Sequence, residues 1–279
     1  MIQTILLPVD GSANSGTALE YGVYIAPKLG ASLTGLHVID VFLIQGPMMT
    51  DITATVGMPP YEGFLEAVET SLKEKADAIL ASFQKRCRAA GVACAAKTNI
   101  GKISDTIIEE AENADLILMA KKGEHFHLKE GGLIGSVAEV VIRKSGKPVL
   151  VTPESYREIE SMGLAYDGSP SAKKALALSL SLSEKAQWPI TVLIVHADAA
   201  KAADLSAEVE NMAERGAANC EVVVSSGKEA EEILKFIKEG SVELMAMGAY
   251  GHNRLREWLL GSTTSTIIQK SPVPVLLIR

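Results

Sequence analysis

The sequence predicts an α/β protein of two tandem domains, each a five-stranded parallel sheet with helices packed on it. Three observations carry this. The chain has 279 residues, enough for two ordinary domains. The same landmarks occur twice, in the same order. Each half also alternates short apolar runs with Ala- and Leu-rich helical stretches, the pattern of strands joined by right-handed crossovers.

The first strand spans Thr4 to Val9 and ends at Asp10-Gly11-Ser12; its counterpart spans Gly163 to Tyr166 and ends at Asp167-Gly168-Ser169. A helical pattern follows each, the second starting near Pro170. The next strands are Leu33 to Val38 and Ile190 to Val195. Gly101-Lys-Ile-Ser-Asp-Thr-Ile-Ile then matches Gly227-Lys-Glu-Ala-Glu-Glu-Ile-Leu, and Asp115-Leu-Ile-Leu-Met-Ala matches Glu243-Leu-Met-Ala-Met-Gly. Gly135-Ser136 matches Gly261-Ser262, and Ser145-Gly-Lys-Pro-Val-Leu-Val matches Ser271-Pro-Val-Pro-Val-Leu-Leu. Landmarks repeated in one order are the mark of a duplicated domain. Five strands and four helices fit each half. The charged stretch from Pro153 to Ser161 reads as the linker, which divides the chain into domains 1–156 and 157–279.

The halves differ in length. The first carries an extra segment around Phe42 to Glu66, with Met48, Met49 and Met58 among its apolar residues. A loop of this length is functional, as a lid or partner-binding flap, or is a surface loop pinned on its own domain. The second is the simpler expectation.

The stretch from Met247 to Thr264 carries the strongest functional signal. An apolar run, Val242 to Met247, reads as a buried strand, and Ser262 opens a helix that reaches about Ser271. Gly248 and Gly251 flank a turn at the strand end. Gly261 precedes the helix, followed by the hydroxyls of Ser262, Thr263 and Thr264. A helix N-terminus has unpaired N–H groups and partial positive charge, so it holds phosphate, and a glycine there lets the anion approach. Gly-Ser before a helix is also ordinary capping chemistry. The spacing G-x2-G-x9-G-[ST] is more specific than either part, and no P-loop pattern occurs in the chain.

This spacing resembles the nucleotide-binding signature of the universal stress protein family, and the resemblance covers nearly the whole chain. It implies doubly wound domains with strand order 3-2-1-4-5, packed as a pseudo-twofold pair through their last strands, Pro148 to Thr152 and Pro274 to Ile278. It places the ligand where strand order reverses, between strands 1 and 4. There Asp167, with Gly168 and Ser169 after it, would accept hydrogen bonds from adenine or ribose, unless Asp167 merely caps the following helix. Val195 would border adenine, with Met247, Gly248 and Gly251 near ribose and phosphates. Gly261, Ser262, Thr263 and Thr264 would meet the phosphate chain. Arg254 is a further phosphate contact to consider, whereas Tyr250 and His252 depart from the family's usual residues. The implied ligand is ATP, ADP or AMP, with Mg beside the phosphates.

The first half carries a damaged copy. Asp10, Val38, Gly123, Gly135 and Ser136 remain, but Ala120 replaces the first glycine and the spacer is two residues longer. Ala120 adds a Cβ where the backbone is expected to approach the ligand, so this site should bind nucleotide weakly or not at all. Lys121 and Lys122 read as solvated lysines. His125 and His127 read as surface histidines, and no metal site is expected.

Composition bounds the rest. A chain 47% hydrophobic and 22% charged belongs to the soluble globular class. Its net charge of −7 argues against nucleic acid, and no apolar run reaches the length of a membrane span. Cys87, Cys94 and Cys220 lack metal-ligand spacing and read as reduced, buried thiols of a cytoplasmic protein. No Ser-His-Asp or Cys-His arrangement stands near the signature, so catalysis beyond slow ATP hydrolysis is not expected. A regulatory nucleotide-binding protein, working with a protein partner and as a homodimer of tandem chains, is the first reading. A stress-response scaffold with a vestigial site and an adenylyl-handling enzyme are the alternatives.

Overall fold

Ile5, Leu6 and Leu7 are all buried, although neighbours in a strand point to opposite faces. Their strand must be covered on both sides, as in parallel sheets whose crossover helices lie on each face. A computed structural model describes residues 2–45, 62–123, 134–215, 220–239, 242–249 and 261–279, and shows this arrangement. In the first half the order is β1 Thr4–Pro8, α1 Ala13–Leu29, β2 Ser32–Asp40, α2 Val41–Gln45, α3 Glu62–Ala89, β3 Cys94–Gly101, α4 Ile103–Ala111, β4 Leu116–Ala120, α5 Ser136–Lys144 and β5 Val149–Thr152. The second half has β6 Met162–Ala165, α6 Pro170–Ala186, β7 Ile190–Val195, α7 Ala199–Arg215, β8 Cys220–Ser225, α8 Glu229–Lys238, β9 Leu244–Gly248, α9 Ser262–Lys270 and β10 Val275–Ile278.

All ten strands join one sheet in the order β3-β2-β1-β4-β5-β10-β9-β6-β7-β8. Each half therefore has the order 3-2-1-4-5 and is parallel within itself. The halves meet where β10 runs antiparallel to β5, with Val275 opposite Val151 and Leu276 opposite Leu150. Alternation along these strands sends Leu150, Leu276 and Ile278 into one core and Val149, Val151, Val275 and Leu277 into the other. Both cores are shared between the halves, one on each face of the sheet.

The connection between the halves is not the polar tether that its composition suggests. Ile159 is fully buried. Tyr24 donates its hydroxyl to the Ile159 carbonyl at 2.6 Å, and Tyr21 accepts the Arg157 N–H at 3.1 Å. Tyr24 also stacks on Trp188 of the second half, with ring centroids 6.4 Å apart. The Lys185 ammonium donates to the Leu29 carbonyl at 2.8 Å, a further tie between α6 and α1.

The extra segment of the first half is partly helical at both ends, as α2 and the start of α3. Met48, Met49 and Met58 lie outside the described residues. Of the cysteines only Cys87 is buried; Cys94 and Cys220, on the outer strands β3 and β8, are half-buried. All three are free thiols.

A carboxylate fixes the start of the first strand in each half. Asp115 accepts the Gln3 and Thr4 N–H groups at 2.8 and 3.0 Å. Glu243, at the matching place, accepts the Ser161 N–H at 2.9 Å and its hydroxyl at 2.7 Å. The Gln3 N–H above all holds the Asp115 carboxyl below its ordinary pKa. The folded state thus favours the ionised form, so the stabilisation is present above the unfolded carboxyl's pKa of about 3.9 and is lost as pH falls through the folded value. Asp115→Ala is expected to cost about 1–2 kcal/mol at neutral pH, measured by urea unfolding, with the difference from wild type shrinking in acid. A constant difference across that range would contradict this role.

Candidate functional site

Each first strand ends in an Asp-Gly-Ser turn. Gly11 and Gly168 have φ of 82° and 75°, the left-handed region that a side chain makes costly, so the turn requires glycine at these places. Ser12 and Ser169 are the N-caps of α1 and α6, accepting the Ser15 and Ala172 N–H groups at 3.2 Å. Asp167 is therefore not the cap. Its Oδ1 accepts the Ser169 N–H at 2.9 Å, as Asp10 Oδ1 accepts that of Ser12 at 2.9 Å. This bond holds each carboxylate at the carboxyl end of its strand, beside the end of β4 or β9.

In the second half the ends of β6, β7 and β9 and the starts of α8 and α9 line a concavity of about 60 Å³. Asp167, Val195, Met247, Gly248 and Thr263 meet there, joined by Ala165, Tyr166, Leu193, Glu229 and Ile233. Burial, and next the Glu208 carboxylate, push the Tyr166 phenol up. Ser262 is exposed as the first residue of α9. Its N-cap is Gly261, and among the described residues a Cβ built there would meet only Thr264 Oγ1, at 3.8 Å. Gly251, Tyr250, His252 and Arg254 lie outside the described residues.

Three of the residues named from the sequence make close contacts within the protein. Thr264 is buried and donates to the Ala249 carbonyl at 3.4 Å, so its hydroxyl ties α9 to the end of β9. Thr263 donates to Glu229 at 3.2 Å. Gly248 is needed for helix contact: a Cβ there would lie 2.6 Å from Ser171 Oγ and 2.9 Å from Ala172 N, at the start of α6. A side chain at this position points at the helix and not into the concavity. Ala120 holds the matching place in the first half and lines the cavity there.

The first half holds the larger space. A cavity of about 420 Å³ is lined by Asp10, Val38, Ala120, Gly123, Gly135 and Ser136, the whole damaged copy, together with Leu43 of α2, Leu72 and Lys75 of α3, and Ile103 and Ile107 of α4. That volume lies within the roughly 300–1,000 Å³ of small-molecule sites. Gly135 is closed in by its own loop, since a Cβ there would lie 3.2 Å from the Lys121 carbonyl oxygen. Lys122 bonds Glu154 at 2.9 Å and lines the cavity. Desolvation holds the Lys121 ammonium below its ordinary pKa, with Glu154 opposing. Neither lysine is the fully solvated residue expected. His125 and His127 lie outside the described residues.

The residues that sequence reasoning missed are Glu229 in one half and Leu43, Leu72, Lys75, Ile103 and Ile107 in the other. Glu229 and Ile103 occupy equal places in the repeat Gly-Lys-Glu against Gly-Lys-Ile, where the change from acidic to apolar was a readable signal. The wall from α2 and α3 had none, because nothing in the sequence says how those helices lie on the sheet.

The Universal stress protein family model matches residues 1–153 and 158–279. Universal stress protein Slr1230 of Synechocystis sp. is 29% identical over 289 residues, which cover 100% of both chains. Universal stress protein MJ0531 of Methanocaldococcus jannaschii is 32% identical over 160 residues, covering 57% of this chain and 86% of that protein. The solved structure of a universal stress protein from Archaeoglobus fulgidus superposes with a TM-score of 0.76 at 26% identity, covering 99% of this chain and 96% of that one. With its two consecutive matches, its doubled strand order and its paired Asp-Gly-Ser turns, the chain belongs to the universal stress protein family as a tandem member.

Proposed function

We propose that the second half binds an adenine nucleotide, ATP, ADP or AMP, and that the chain is a regulatory stress-response protein of the cytoplasm. In this reading a protein partner senses the nucleotide state, and tandem chains associate as homodimers. The observation that carries it is the meeting of Asp167, Val195, Met247, Gly248 and Thr263 at the carboxyl ends of the strands, where strand order reverses between β6 and β9. Ligands of open α/β sheets bind in that crevice.

The fit of a nucleotide draws on the space beside Gly261 and the start of α9, where among the described residues only Thr264 Oγ1 comes within 4 Å of a Cβ built at Gly261. Asp167, on the Gly168–Ser169 turn, would accept from adenine or ribose, and Val195 would pack against the base. Gly251, Gly261, Ser262 and Thr263 would surround the phosphates, with Thr264 holding the helix start in place. Asp167 and Glu229 bring two carboxylates to this end, so Mg would supply charge that the phosphates need. No membrane role enters, and among the described residues no helix is long and apolar enough to cross a membrane.

A second reading, a scaffold with a vestigial site, draws on the small volume of the second concavity. One experiment separates the two. Isothermal titration of the full chain with ATP and Mg is expected to show one tight site per chain, and gently denatured protein is expected to release an adenine nucleotide to mass spectrometry. No binding favours the scaffold; two equal sites overturn the assignment to the second half alone.

A further inference from the structure

The two halves differ most at the corner where a phosphate chain would lie. In the second half Thr263 and Glu229 form a hydrogen-bonded pair there. The matching residues of the first half are Val137 and Ile103, and both line the 420 Å³ cavity. One hydroxyl and one carboxylate have given way together to two apolar side chains, so the corner has lost its polar chemistry on both walls. Leu43 and Leu72 extend the apolar lining from α2 and α3. At the rim, Asp10, Asp40 and Glu139 set three carboxylates against Lys75 and Lys122. The corner itself thus offers an apolar body two apolar walls in place of the polar pair of the second half.

We propose that the first-half cavity is a binding site for a largely apolar, uncharged small molecule, so that the duplicated sites take ligands of different chemical class. Burial of an apolar body against Val38, Ile103, Ile107 and Val137 supplies the affinity, and the shape of the cavity supplies the selection. The site works whether or not the second half binds nucleotide.

The test uses the full chain carrying Gly261→Val, which separates it from the proposed nucleotide site. The probe is N-phenyl-1-naphthylamine, an uncharged dye whose fluorescence rises in apolar surroundings. One saturable probe site per chain is expected, with no displacement by millimolar ATP. Adding Ile103→Glu and Val137→Thr restores the polar corner and should weaken the probe at least tenfold. Both residues are only partly buried, so the fold should tolerate the change. Leu72→Trp, which fills the cavity from the half-buried face of α3, should have the same effect and decides the matter if the double variant fails to fold. Displacement by ATP, absence of a saturable site, or wild-type probe affinity in the folded variants would each overturn the proposal.

Discussion

Replacing Gly261 by Val is expected to weaken ATP binding at least about 100-fold, a loss of roughly 2.7 kcal/mol, while leaving the melting temperature unchanged. The two halves of this expectation have separate causes. Gly261 has φ −57° and ψ 146°, which any residue adopts, so the backbone pays no strain. Among the described residues a Cβ there would meet nothing nearer than Thr264 Oγ1 at 3.8 Å, so these leave room for the first atom of the new side chain. The same room is what a phosphate needs to reach the N-terminal N–H groups of α9, and a branched side chain fills it. Titration calorimetry beside a thermal melt reads both. Wild-type affinity in a folded variant would show the site to be misassigned. Gly135→Val is a poor substitute for this test, because Lys121 and Lys122 already close in on that glycine.

The second large effect is expected at the seam. Val275 is 2% exposed, pairs with Val151, and stands in the middle of a ten-stranded sheet. Val275→Lys would bury an ammonium among Val149, Val151 and Leu277, with helices above and five strands to one side, so the charge has no short route to water. A loss above about 3 kcal/mol follows from an unpaired buried charge, seen as a fall in melting temperature of several degrees or as aggregation. Unlike Gly261→Val, this variant should impair both halves, because both cores cross the seam. A variant with wild-type melting and hydrodynamic size would mean that β10 and β5 do not form the joint in solution.

The doubled landmarks made much of this fold legible. Asp-Gly-Ser after a strand, Gly-Ser before a helix and Pro-Val before the last strand are local chemistry, and local chemistry repeats visibly. Strand order and the meeting of the halves through their last strands came with the family resemblance. What escaped depends on packing between distant elements. Ile159 sits in a run of charged residues yet is fully buried, because Tyr21 and Tyr24 draw that run onto α1. The helix ends within Phe42 to Glu66 were hidden by a segment with weak periodicity. At the site, residue types pointed to particular strand ends, but not to the direction of each side chain. The bond from Thr264 to the Ala249 carbonyl and the packing of Gly248 against the start of α6 are examples.

The antiparallel joint has a geometric consequence for the two cavities. Strands of the first half all run one way and those of the second half run the other, so their carboxyl ends lie on opposite rims of the sheet. The Asp10 mouth and the Asp167 mouth therefore open in opposite directions. A flat partner surface docked on one rim covers one mouth and leaves the other facing solvent. Only a surface that wraps the edge of the sheet could cover both mouths at once.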